Sequence, residues 1–268
     1  QYFRVAPDDA QGKADIEGAV TDKEFATIGR RVLEKCDALD GVSDGMVLNP
    51  VACQAAFDLD RDVATCPTGT RDGTCLSQQQ KVSIGNTFRG ATTTSGTQLY
   101  APFWYDPGVA GQDWRRWELA APLQRDAGAL AFIFSTPPAT VEAFGKDGGL
   151  GYARTYNFDS QVQAIYATNS VYRESAMAFM TPPDASRLDD LVKRRGRVLV
   201  YHGVADAVFS PADTVNWYRA FDANRSGRGA DVARLFLVPQ MNHCSGGPAT
   251  DQFDLLTPLV QWVEEGVP

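Results

Sequence analysis

Ala233-Arg234-Leu235-Phe236-Leu237-Val238-Pro239-Gln240-Met241-Asn242-His243-Cys244-Ser245-Gly246-Gly247 is the stretch that decides the fold. Its first six residues are strongly apolar, too short for a typical helix and closed by a proline, which reads as a buried strand. A histidine follows, with a cysteine beside it and glycines after it, at the carboxyl end where α/β enzymes place chemistry. The 268 residues include only two histidines, His202 and His243, so an imidazole base must be one of these. A neutral imidazole also satisfies local hydrogen bonds at a strand end, and His243 taken alone leaves that structural role open.

Outward from this stretch the same texture recurs. Residues 197–201 read as a second strand, and His202-Gly203-Val204-Ala205-Asp206-Ala207-Val208-Phe209 follows it. Before that strand, Leu188, Leu191 and Val192 mark a helix that stops at Gly196. After it, Ser210-Pro211-Ala212-Asp213 caps a helix containing Val215, Tyr218 and Phe221. A last helix is expected through Phe253, Leu256, Val260 and Val263, kinked or restarted at Pro258 and ended by Gly266. Strand–helix–strand–helix is the pattern of a parallel α/β sheet. The two strands lead to Asp206 and then His243, the closing order of the Ser…Asp…His triad in α/β-hydrolases.

The first two thirds of the chain have another character. Thr21-Asp22-Lys23-Glu24 is a capping box that opens a helix with Phe25, Ile28 and Val32 on one face, running toward Cys36. Ser77-Gln78-Gln79-Gln80 opens another. Residues 84–155 are rich in Gly, Thr, Pro and aromatics, with Phe103, Trp104, Tyr105, Trp114 and Trp117 close together. Such rings are a satellite core under long loops, or the walls of a pocket for a flat ligand. Residues 160–180 read as irregular helix, and Pro182-Pro183 is the expected boundary, dividing 1–183 from 184–268.

Four of the five cysteines lie within forty residues among Gly, Pro, Asp and Thr, with no C-x-x-C pair or neighbouring histidine to suggest zinc. They read as two local bridges, Cys36–Cys53 and Cys66–Cys75, and hence as the mark of an oxidising compartment, secreted or periplasmic. Cys244 is left over, which suggests a missing partner. In the loop after Cys36, Asp37, Asp40 and Asp44 are spaced to converge, with the carbonyls of Val42 and Met46 free to point inward. Glycines permit the tight backbone, and oxygen ligands suit calcium, although an acidic turn has the same composition and the spacing is not that of an EF-hand. The net charge of −8 argues against nucleic acid or an anionic membrane as partner. No apolar run approaches the roughly 20 residues of a membrane helix. The sequence opens with Gln1, with neither an initiator methionine nor a signal peptide, and is expected to begin partway into a longer or processed polypeptide.

Three motifs together, Cys-Asp-Ala-Leu-Asp-Gly-Val-Ser-Asp-Gly (36–45), Tyr-His-Gly-Val-Ala-Asp (201–206) and Met-Asn-His-Cys-Ser-Gly-Gly-Pro (241–248), resemble the tannase and feruloyl esterase family, in family order and over essentially the whole chain. The resemblance implies an α/β fold: residues 184–268 correspond to the C-terminal part of an α/β-hydrolase core, and residues 1–183 to most of a large, mostly helical and loop lid. It implies a serine esterase acting on esters of aromatic acids, whether terephthalate monoesters, feruloyl or galloyl esters. Asp206 matches the triad acid and His243 the general base. Asp37, Asp40, Val42, Asp44 and Met46 match a lid calcium site. Trp117, Val208 and Phe209 match the substrate pocket, with His202 near it. Arg125 matches a lid cation for the acid's free carboxylate, while Ala129 stands where a relative closes a phenylalanine over the ring. Cys244 matches a cysteine bonded to the one preceding the nucleophile. The family's nucleophile lies in a Gly-x-Ser-x-Gly elbow, typically Gly-Cys-Ser-x-Gly-Gly, and none is expected in this chain, so the resemblance implies that the nucleophile, the oxyanion hole and the partner of Cys244 lie upstream of Gln1 and that the chain alone is inactive. The alternative is a catalytically incomplete, calcium-stabilised module that binds aromatic ligands.

Overall fold

The computed structural model describes Tyr2 and residues 5–268, at 123 and 124 the backbone alone. Helix α1 (Asp22–Cys36) begins where the capping box places it. The Thr21 N–H donates to Glu24 Oε2 at 2.7 Å, and the Glu24 N–H donates to Thr21 Oγ1 at 3.3 Å. Phe25, Ile28, Val32 and Cys36 recur at helical spacing and are all buried. Arg71 grips the carboxylate of the buried Glu24 with Nε and Nη2, each at 3.0 Å, so the helix start is closed by an ion pair from a distant loop.

The Cys36–Cys53 bridge ties the end of α1 to α2 (Pro50–Ala56), and Cys66–Cys75 closes the next loop before α3 (Gln78–Phe88). Helix α3 also starts on a capping box, made by Ser77 and Gln80. Apolar side chains of α1, α2 and α3 meet Val47, Leu76, Trp114 and Leu119 in the larger of the two cores. The aromatic segment expected either as satellite core or as pocket wall serves mainly as core. Trp114 is 1% exposed and stacks on Phe88 at 4.8 Å, and Phe88 stacks on Tyr105 at 4.0 Å.

Strands β1 (Val198–Gly203) and β2 (Ala233–Val238) pair in parallel, from Val198 opposite Ala233 to Gly203 opposite Val238. Between them runs α4 (Pro211–Asn224), which starts with the Ser210 hydroxyl accepting from the Ala212 N–H. Phe221 of α4 is fully buried against Val232 and Ala233, with Leu188, Leu191 and Val192 packed beside it. Residues just past Pro183 attach to the same helix, where Trp217 Nε1 donates to the Ala185 carbonyl and Asn224 to that of Ser186. The other side of the sheet is open: Tyr201 is 42% and Phe236 47% exposed. The two cores are joined, because Ala207, one residue after Asp206, is buried in the larger one.

Two expected helices differ from what forms. The last helix, α5, spans Leu256–Glu264 and excludes Phe253. Asp254 Oδ1 accepts the N–H groups of Leu256 and Thr257, so the carboxylate starts the helix after Phe253 despite the apolar periodicity. Pro258 then falls in the first turn, where a missing N–H costs nothing, and it neither kinks nor restarts the helix. Residues 160–180 are not one irregular helix but short turns, Phe158–Gln161, Val162–Ile165 and Ala176–Met180. Asn169 breaks them by accepting the N–H groups of Val171 and Tyr172 on its side chain, offering the backbone an alternative to a helix.

Candidate active site

Both strands end at one edge, and the residues just beyond them meet. The Ala205 N–H donates to the Met241 carbonyl at 3.1 Å, which holds the loop after β1 against the loop after β2. A side chain at Gly203 would run into the carbonyls of Met241 and Asn242, so this approach requires glycine. Asp206 and His243, 37 residues apart, are brought to 3.0 Å between Oδ2 and Nδ1.

Asp206 is 4% exposed, and each of its oxygens has a separate task. Oδ1 accepts the N–H groups of Val208 at 2.7 Å and Phe209 at 2.9 Å, which fixes the carboxylate in its own loop. Oδ2 is left for histidine. A carboxylate only accepts, so the Nδ1 nitrogen of His243 carries the proton and Nε2 is the basic nitrogen. This is the arrangement of a general base with its orienting acid. Among the described residues no serine hydroxyl bonds to Nε2; its neighbour is the exposed Cys244 Sγ at 3.7 Å. Cys244 has φ +65°, a left-handed backbone uncommon for a residue other than glycine.

Of the residues expected around a substrate, Trp117 meets His243 edge-on at 5.3 Å between centroids, and Phe209 lies tilted at 5.5 Å. Arg125 reaches the same place indirectly, its guanidinium 4.6 Å from the Trp117 ring centroid and paired with Asp126 at 2.8 Å. Val208 contributes its N–H to Asp206. Both ring nitrogens of His202 are engaged within the protein, Nδ1 with Thr214 Oγ1 at 2.8 Å and Nε2 with the Phe209 carbonyl at 3.0 Å. Because that carbonyl can only accept, Nε2 carries the proton and Thr214 donates to Nδ1. His202 Nε2 is also 3.6 Å from Asp206 Oδ2, so both histidines of the chain surround one carboxylate. A cavity of about 270 Å³ opens here, walled by Tyr201, His202, Phe209, Met241, His243 and Cys244.

The loop expected to hold calcium lies close by. Asp37 Oδ1 accepts the N–H groups of Asp44 and Gly45, Asp40 accepts those of Val42 and Leu48, and Asp44 Oδ1 accepts that of Met46. These bonds describe an acidic turn closed on its own backbone. Among the described residues no three carboxylate, histidine or cysteine side chains gather as a metal-holding group. The donor chemistry, hard oxygens on a glycine-containing loop, still suits calcium. The letters Gly-x-Ser-x-Gly do occur once in the chain, at Gly41-Val42-Ser43-Asp44-Gly45 in this loop. Ser43 there is exposed and follows a 3₁₀ turn (Asp37–Asp40), not the strand-to-helix elbow a nucleophile needs.

Three polar residues that the sequence reading did not single out support the loops around the site without lining its cavity. Asp106, 1% exposed, accepts the N–H of Gly108 at 2.7 Å and that of Gln240 at 3.3 Å. Burial pushes its carboxyl up to about 6. Asn242 donates to the carbonyls of Gly108 and Ala205. Thr214, which fixes the tautomer of His202, was legible only as one more residue of a helix.

The geometry places a buried carboxylate against an imidazole at the carboxyl edge of a parallel sheet. The family pattern described as tannase and feruloyl esterase matches residues 1–268, and the chain belongs to that family. It is 38% identical over 284 residues to mono(2-hydroxyethyl) terephthalate hydrolase of Piscinibacter sakaiensis, covering 96% of this chain and 46% of that protein. It is 26% identical over 273 residues to probable feruloyl esterase B-1 of Aspergillus oryzae, again 96% of this chain and 46% of that protein. The fold is that of feruloyl esterase B from Aspergillus oryzae, with a TM-score of 0.61 at 23% identity, covering 99% of this chain and 50% of that one. Tannin acyl hydrolase from Aspergillus niger gives a TM-score of 0.55 at 18% identity, covering 92% and 46%. The chain thus spans about half the length of the relatives it matches.

Proposed function

We propose that this chain supplies the acid, the base and part of the substrate pocket of a serine-type carboxylic ester hydrolase for esters of aromatic acids. The observation that carries the reading is the Asp206–His243 pair, at 3.0 Å, with Trp117 and Phe209 beside the imidazole. In this role His243 Nε2 takes the proton of a serine hydroxyl as its oxygen attacks the ester carbonyl. It then returns that proton to the departing alcohol, and a water molecule repeats the sequence to release the acid. Asp206 holds the imidazole in the productive tautomer throughout and favours its cation. Trp117 and Phe209 offer flat apolar faces to an aromatic acyl group, and Arg125, beside Trp117, offers a cation to an acid carrying a second carboxylate. Relatives whose names specify terephthalate monoester and feruloyl esterase activity support this substrate class.

The nucleophile in this reading belongs to polypeptide outside the 268 residues. A two-stranded sheet is marginal by itself and suits extension by further strands, and the exposed Tyr201 and Phe236 on its face suit burial under further helices. Cys244 would bond to the segment bearing the serine. Calcium in the loop 37–46 is a further part of the proposal, resting on its aspartates and main-chain oxygens. The two disulfides favour a secreted or periplasmic location, and among the described residues no helix is long and apolar enough to cross a membrane.

Expressed by itself, the chain is expected not to hydrolyse p-nitrophenyl acetate; turnover that vanishes in His243→Ala would refute the absent nucleophile. Joined to its serine-bearing part, it should hydrolyse aryl-acid esters, with His243→Ala lowering kcat by about 10⁴-fold or more. Activity untouched by that change would refute His243 as the base.

A further inference from the structure

The loop that carries His243 is short, polar and partly strained, yet its residues are buried from Val238 to Asn242. Gln240 sits at its turn with φ +60°, although it has a side chain and is only 6% exposed. Such a conformation persists only where the surroundings over-determine it. What surrounds it is not the sheet but a segment 134 positions earlier in sequence. Asp106 Oδ2 accepts the Gln240 N–H, and Asp106 Oδ1 accepts the Gly108 N–H of its own turn. A Cβ at Gly108 would lie 2.5 Å from that of Ala205 and 2.7 Å from the Gln240 carbonyl oxygen, so the two segments touch backbone to backbone. Asn242 Nδ2 donates to the Gly108 carbonyl from the other side of the contact. The Gln240 side chain reaches the opposite way, donating through Nε2 to the Gly45 carbonyl of the acidic loop. The segment of Asp106 is itself rigidly mounted, because Pro107–Ala110 packs against α1, where Gly29 lies under the Pro107 carbonyl.

We propose that Asp106 and Gln240 form a clamp that positions the general base: Asp106 holds the turn at Gln240, Gln240 ties it to the acidic loop, and together they fix His243 at hydrogen-bond distance from Asp206. Neither residue touches the pocket. They act through the loop, three residues before the imidazole, and are positioning residues. A clamp of this kind gives a buried carboxylate a task that the fold alone does not require, since a neutral group burying the same volume would be cheaper to desolvate. The proposal rests on the hydrolase reading given above, with His243 as the base.

The test uses the intact esterase with its serine-bearing part. Asp106→Asn keeps the shape and one acceptor but places an amide N–H₂ against the Gln240 N–H. It also relieves the burial of a charge, so the melting temperature should change by only a few degrees. Loss of alignment at His243 should lower kcat about 10- to 100-fold, leave KM within about twofold, and broaden the deshielded Nδ1 proton resonance of His243. Gln240→Gly suits φ +60° better than glutamine does, which offsets the lost bond to Gly45, and should lower kcat with a change in melting temperature of only a few degrees. If Asp106→Asn does not fold, this second variant decides the matter. Wild-type kcat in either folded variant, while His243→Ala is inactive, overturns the clamp. Activity retained in His243→Ala refutes instead the hydrolase reading on which the clamp depends.

Discussion

Replacing Asp206 with asparagine separates the two tasks of its carboxylate, and the structure says which one survives. In one orientation of the amide, the oxygen stays at the position of Oδ1 and keeps the N–H groups of Val208 and Phe209, now at 2.7 and 2.9 Å. The N–H₂ then faces His243 Nδ1, 3.0 Å away. In the flipped orientation the imidazole keeps its acceptor, but the N–H₂ is pressed against two buried backbone donors. Each stranded donor costs about 1–3 kcal/mol, so the flip is disfavoured by roughly 2–6 kcal/mol against a single lost contact at His243. The first orientation therefore wins, and it makes Nδ1 an acceptor. The proton moves to Nε2, which can no longer take one from a serine. The loop is intact, the proposed base is in the wrong tautomer, and kcat should fall by about 10⁴-fold, the size of the effect when the aspartate of a serine-protease triad becomes asparagine. Substrate binding should be nearly unchanged, because Trp117 and Phe209 are not displaced, and the melting temperature should remain close to that of the wild type. The assay is steady-state hydrolysis of an aryl-acid ester by the intact enzyme, with thermal unfolding recorded in parallel. An Asp206→Asn enzyme within tenfold of wild-type kcat would refute the assignment of Asp206 as the orienting acid.

Two further outcomes concern the loops and the buried acid. Chelation with EDTA is expected to lower the melting temperature, and Asp40→Ala to abolish that sensitivity; if melting is indifferent to both, the loop 37–46 is an acidic turn and no more. Asp106 gives a pH signature with a definite sign. Burial raises its folded-state value to about 6, above the ordinary value near 4, so the folded form holds the proton more tightly. Stability should therefore rise as pH falls through 6 toward 4, by about 1 kcal/mol between pH 8 and pH 5 and by up to about 3 kcal/mol in full below pH 4. Comparing the urea midpoints of wild type and Asp106→Asn between pH 8 and pH 5 isolates it: the wild type should gain relative to the variant as pH is lowered, and parallel curves would show that Asp106 is not buried as described.

What was legible in the sequence shares one property: the determinants are local. The two strands announce themselves as short apolar runs between turn residues. The starts of α1 and α3 are written in four residues each, and the pairs Cys36–Cys53 and Cys66–Cys75 close loops within their own neighbourhood. Asp206 and His243 could be placed because each follows its strand directly, so parallel pairing brings them to one edge. What was missed depends on contacts that spacing does not encode. Nothing in Tyr105-Asp106-Pro107-Gly108 signals that its aspartate will meet Gln240, and a threonine inside a helix gives no hint that it selects the tautomer of His202. Periodicity also misled where a capping side chain competed with it: Asp254 set the start of α5 past Phe253, and Asn169 interrupted an apolar stretch that otherwise scans as helix.

These long-range contacts change what the first two thirds of the chain can be said to do. A lid in the ordinary sense covers a site assembled elsewhere, and its removal would leave acid and base in place. Here the turn that delivers His243 rests on Asp106 and Gly108, the loop that delivers Asp206 is anchored by Ala207 in the larger core, and the N-cap of α4 is held by the Tyr100 hydroxyl and the Pro102 carbonyl. Asp206 and His243 are set beside one another by contacts with the segment 100–111 as well as by the paired strands. The sheet supplies only two paired strands to hold the loops beyond it, and a pair of that size is marginal in stability. In the mechanism proposed above, the rigidity that His243 requires as base is drawn from the disulfide-closed helical core, through the clamp proposed at Asp106 and Gln240.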